Sequence, residues 1–137
     1  MRADSARLDY SADLVSLVND GDGHFADAGG SIRNALAATR LFSRGNGQSA
    51  FNAINGGVIT TGPGAVASAN AVSGAYARDG GTISAPSLTA QNNALNAITC
   101  VDAKINVPNL AGTGSQYGIY NDGGHVTADS GSSTSSA

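Results

Sequence analysis

The chain has 137 residues with 19 glycines, a single lysine, no glutamate and no tryptophan; it fits one domain and lacks the residues that coat a helical bundle. Only 12% of residues are charged and the net charge is −3, which leaves no basic stripe to match nucleic-acid phosphates. Cys100 is the sole cysteine, so an internal disulfide is excluded, and no run of about 18 apolar residues is present to cross a bilayer as a helix.

The start, Met1-Arg2-Ala3-Asp4-Ser5, has no secretory-signal pattern, and the expected product is a soluble protein made in the cytosol. Residues 1–30 read as a polar N-terminal arm. Within it, residues 11–18 fit either a short helix capped by Ser11 or a strand. Asn19-Asp20-Gly21-Asp22-Gly23-His24 is rich in oxygen donors, but a calcium loop aligned on Gly23 would need acids where Val18 and Gly29 stand. A polar turn is the expectation there.

Residues 31–45 predict an amphipathic helix, capped by Ser31 and followed by Gly45. Ile32, Leu36, Leu41 and Phe42 would form its apolar face, and Arg33, Arg40 and Arg44 a second face suited to an acidic partner. Such a helix, roughly 18 Å long, would plug the open end of a stacked β-structure.

That stack is the expectation for residues 46–128. Phe51, Val72, Leu95 and Tyr117 recur at steps of 21 to 23 residues, and Ile59, Ile83, Ile105 and Val126 at steps of 21 to 24. Repeats of this length mark a solenoid, where each repeat buries its apolar face only against the next. Asn55, Asp79, Asp102 and Asp122 fall at corners, three of them followed by glycine, as left-handed turns require. Asn52, Ser73 and Asn96 align after the large apolar residue, a spacing suited to a stacked amide ladder. Residues 129–137 read as a disordered Ser/Gly-rich tail.

The coil length and the aligned amides resemble the right-handed parallel β-helix proteins: pectate lyases, phage tailspikes and autotransporter passengers. The resemblance covers residues 49–128 and implies a mainly β fold, a short parallel β-solenoid of about four coils behind the capping helix. A small β-sandwich or an intertwined trimeric β-prism are the alternatives. With no cap on the lower end, a homo-oligomer, a trimer first, is expected.

The chemical inventory is thin. Asp79, Asp102 and Asp122 on one edge would resemble a carboxylate pair of a polysaccharide-acting enzyme, but turn chemistry accounts for them. His24 and His125 lack partners at zinc-ligand spacing, and Cys100 takes the place of Ala77 in the preceding coil, as a small core residue. No enzyme activity, metal or cofactor is expected. The functional expectation is a structural virion protein of a tailed phage, a capsid decoration (cement) protein or short spike piece, held in the virion by itself and a major capsid protein. An adhesin or autotransporter passenger fragment that binds a surface glycan is the alternative, and a polysaccharide-acting β-helix enzyme the second.

Overall fold

The computed structural model describes residues 1–128 in full and, beyond them, the backbone of the strand Ser130–Ser135. The chain winds through six rungs of three short strands each. The first rung is β1 (Arg2–Asp4), β2 (Arg7–Tyr10) and β3 (Leu14–Leu17). The second is β4 (His24–Asp27), β5 (Ser31–Asn34) and β6 (Leu41–Arg44), and the third β7 (Phe51–Ile54), β8 (Val58–Thr60) and β9 (Ala65–Ser68). The fourth is β10 (Ser73–Arg78), β11 (Thr82–Ser84) and β12 (Ser87–Gln91); the fifth is β13 (Asn96–Val101), β14 (Lys104–Asn106) and β15 (Asn109–Ser115). The sixth is β16 (Tyr117–Asp122), β17 (His125–Thr127) and β18 (Ser130–Ser135).

Every third strand stacks in parallel on the one before, making three six-stranded sheets: A begins with β1, B with β2 and C with β3. This is the parallel β-solenoid expected from the repeat. Because all three sheets close within one chain, neither a sandwich nor an intertwined prism is formed.

The stack is longer than the four expected coils, since residues 1–48 supply two more rungs. The expected arm over 1–30 is rung one and the start of rung two. The expected capping helix over 31–45 is β5, a turn and β6: Ile32 pairs with Leu8 and Ile59, and Leu41 with Leu14. Alternation decides the matter. Ile32, Leu41 and Ser43 point inward while Arg33 and Arg44 point out, and burial of Ile32 and Leu41 in continuous apolar columns outweighs a helical preference worth tenths of a kcal/mol per residue. Leu36, assigned to the helix's apolar face, lies in the connecting turn at 57% exposure. Of the expected tail 129–137, the backbone of β18 pairs with β15, and the remainder lies outside the described residues.

The core is a set of ladders. In sheet B, Leu8, Ile32, Ile59, Ile83, Ile105 and Val126 stand in one column, so the second periodic set is the real one. Each fully buried isoleucine there contributes about 2–3 kcal/mol by leaving water. The first set is not a column: Phe51 stacks between His24 and Ala75, and Ala75 on Ile98, while Leu95 and Tyr117 are 43% and 57% exposed. Register follows the corner after the strand, not the large residue at its start. Corners between sheets A and B are tight turns in which Asn55, Asp79 and Asp102 take φ of 49°, 50° and 47°. Gly57 N–H closes one of them onto the Ile54 carbonyl at 2.8 Å. A Cβ on Gly57 would run into the Ala26 carbonyl in the rung above.

Candidate functional site

The acidic edge is corner chemistry. Asn55, Asp79 and Asp102 sit in corresponding left-handed positions, whereas Asp122 ends β16 and Gly123 takes the turn with φ 68°. Asp79 ion-pairs with its neighbour Arg78 at 3.2 Å, and the Asn55 amide donates to Asp27 at 2.9 Å. Asp22, in the oxygen-rich turn, accepts the Ser49 N–H and the Asn52 amide, both at 2.9 Å.

His24 is a core residue. Its ring stacks on Phe51 with centroids 5.6 Å apart, and Nε2 lies 3.3 Å from the Phe42 carbonyl, which fixes the proton there. Nδ1 is buried without a partner, and burial pushes the imidazole pKa down to about 4. His125 is exposed on β17. Cys100 stacks on Ala77, as its spacing predicts, and burial raises its thiol pKa, so the nucleophilic thiolate is disfavoured. Among the described residues, no group of three His, Cys, Asp or Glu side chains is placed to hold a metal.

Without the helix, the three arginines share no face. Arg33 is on the outside of sheet B and Arg44 on the outside of sheet C. Arg40 lies in the turn before β6, its guanidinium 3.0 Å from Asp13 and stacked over Phe42 at 5.0 Å.

The amide ladder exists, one corner away from its expected place. Asn52 pairs with Tyr76 across the sheet and Asn96 with Ser73, so neither joins an amide stack. The ladder is Asn19, Asn46, Asn70 and Asn93, just after the corner between sheets C and A. Asn19 donates to Asn46 Oδ1, Asn46 to Asn70 Oδ1 and Asn70 to Asn93 Oδ1, each at 2.8 Å. Each lower Oδ1 also accepts the backbone N–H of the asparagine above, at 3.1 to 3.3 Å. The sequence signal was the set of steps 27, 24 and 23, masked by the changing length of the second rung.

Two outer surfaces remain. On sheet C, Val15, Phe42 and Val66 form an outward column beside Leu17 and Arg44; Val15 and Leu17 are 61% and 59% exposed. Together they border a shallow depression of about 430 Å³. On sheet A, a wider groove of about 680 Å³ runs past Asp22, Phe25, Gln48, Asn52, Val72 and Tyr76. Arg2 and Arg78 stand at its flanks.

Comparison with family models, curated proteins and solved structures returns no match for this chain.

Proposed function

We propose that the protein is a structural building block, a virion protein of a tailed phage that acts as a capsid decoration (cement) protein or a short spike piece. It is made in the host cytoplasm and joins the particle through contacts with itself, as a trimer, and with a major capsid protein. The observation that carries the reading is the apolar outer face of sheet C, with Val15 and Leu17 61% and 59% exposed beside Phe42 and Val66. A contiguous apolar patch on the outer face of a sheet is characteristic of a protein–protein contact. The stacked sheets supply a rigid rod on which such a face holds its shape. Arg44 borders the patch and is the residue of the three arginines best placed to select an acidic rim on a partner.

Sedimentation velocity at micromolar concentration tests the assembly. A trimer that the double substitution Val15→Ser, Leu17→Ser converts to monomer is the expected result. A monodisperse wild-type monomer overturns self-assembly. Failure to bind undecorated phage heads, or to raise their resistance to heat, overturns the virion role.

A further inference from the structure

We propose that the corner at Val18 is the contact by which each copy of the chain locks onto the next in the trimer. Val18 sits in the sheet C depression of the next copy, and Asp20 pairs with that copy's Arg44. This rests on the self-assembly reading above and supplies the residues and the arrangement that it leaves open.

Val18 has a backbone conformation ill suited to its side chain. It follows β3 at the first corner between sheets C and A with φ 48°, and its N–H donates to the Arg44 carbonyl at 2.9 Å. Gly45, Ala69 and Asn92 hold the same corner position in the next three rungs. Of the non-glycine residues at positive φ among the described residues, Val18 alone is β-branched, the side-chain type that a left-handed backbone tolerates least. Packing inside the chain does not offset that strain. Val18 is 80% exposed, more than any other large apolar side chain among the described residues. Backbone strain of this kind collects where a contact uses it.

A surface that fits Val18 is present on the same chain. Val15, Leu17, Phe42 and Val66 border the sheet C depression of about 430 Å³, which has room for an inserted aliphatic side chain. Val18, around the corner, does not border it and so leaves its own chain's depression open.

The charges are complementary. Asp20 is exposed two residues beyond Val18, and Arg44 is exposed at the edge of the depression. Among the described residues neither takes part in an ion pair. Arg40, at the opposite edge of sheet C, is already paired with Asp13 at 3.0 Å.

Height along the stack fixes the arrangement. Val18 closes rung one and Arg44 ends the strand of rung two, one strand spacing of about 4.8 Å away. In copies set side by side with parallel axes, equal heights meet. The corner of one copy then faces Val15, Leu17 and Phe42 of the next, and Asp20 faces Arg44. A closed three-fold ring joins two different surfaces of the chain, here a corner and a sheet face. A two-fold dimer would set the face against itself and leave Val18 and Asp20 at the margin.

Sedimentation equilibrium and urea unfolding of the full chain test the lock in Val18→Asn, Asp20→Arg, Arg44→Asp and the double charge reversal. Val18→Asn introduces the residue type that rung four carries at this corner. It should raise the dissociation concentration of the trimer roughly tenfold, the scale of one buried aliphatic side chain. In the monomeric Val15→Ser, Leu17→Ser background the same substitution should raise the urea midpoint, since asparagine accepts a left-handed backbone more readily. Each single reversal should weaken the trimer by about tenfold or more, and the double reversal should restore it. These positions are exposed, so circular dichroism should show an intact solenoid in every variant. A wild-type trimer indifferent to Val18→Asn, or a double reversal no better than the singles, overturns the lock and leaves the assembly reading standing. So does loss of capsid binding with the trimer intact, which would make the corner a contact with another protein. A wild-type monomer overturns both.

Discussion

Replacing Asn70 by alanine removes the middle of the asparagine ladder. The side chain is 1% exposed and takes part in three bonds: it donates to Asn93 Oδ1 and accepts from both the amide and the backbone N–H of Asn46. The partners are not equally harmed. Asn46 Nδ2 keeps Ser43 Oγ at 2.7 Å, and Asn93 Oδ1 keeps the Asn70 backbone N–H at 3.1 Å. The Asn46 N–H keeps nothing, and a buried donor left unpaired costs about 1–3 kcal/mol. Adding about 1 kcal/mol for each of the two amide bonds lost brings Asn70→Ala to about 3–5 kcal/mol. Asn52→Ala removes one bond, to Asp22, from a half-buried residue and should cost about 1 kcal/mol. Urea unfolding of the three proteins measures both, read as a fall in midpoint at constant m-value. If Asn70→Ala costs no more than Asn52→Ala, the ladder does not carry the corner and the reasoning fails.

Three further outcomes follow from buried groups. His24 has a folded pKa near 4 against 6.5 for an open imidazole, so the unfolded chain takes up a proton first as pH falls. Stability should be full above pH 6.5 and decline by about 3 kcal/mol between there and pH 4, and His24→Phe should flatten that segment of the pH–stability curve. A wild-type curve that is flat between those values contradicts the burial argument. Gly57→Ala drives a Cβ into the Ala26 carbonyl and should cost more than 3 kcal/mol, while Asn55→Gly, at φ 49°, should change stability by less than about 1 kcal/mol in urea titrations. Cys100, buried with its thiol pKa raised, should react with a thiol reagent only as fast as the protein opens, and instant native-state labelling would contradict its place in the core.

Ile59, Ile83 and Ile105 of sheet B were legible because each lies at the centre of a three-residue strand bracketed by corners, so that their spacing in sequence tracks their stacking. The sheet A register was not, because its strands vary in length. Phe51 and Ala75 are partners although one is the largest residue of its strand and the other among the smallest. Both lie four residues before a left-handed corner, at Asn55 and Asp79, and so do Ile98 before Asp102 and His24 before Ala28. The corners, not the bulky residues, were the ruler. The asparagine ladder has the same logic: Ala69 and Asn92 are left-handed and the ladder residues Asn70 and Asn93 come immediately after. The sheet A groove could not be read, since it joins Asp22 and Gln48 from corners to Phe25 and Tyr76 from strands across three rungs.

The misplaced helix is the most instructive difference. Residues 31–44 carry a helical cap, a helical stripe and a glycine stop, yet they form two strands around a turn. The two periods coincide over short lengths: Ile32, Leu36 and Leu41 suit a helix face, while Ile32, Leu41 and Ser43 also suit the inner face of strands broken by a corner. What separates them is the rung on each side. Leu8 and Ile59 are in register with Ile32, and Leu14 with Leu41, so the strand reading gives Ile32 an apolar neighbour in the rung on each side and Leu41 one in the rung before. A helix lying across the end would contact one rung at most. It would also leave the first rung, residues 2–17, with no sheet to join. In a solenoid a segment's structure is decided by its neighbours one period away, and residues 1–17, which carry the weakest repeat of all, are what make residues 31–44 strands.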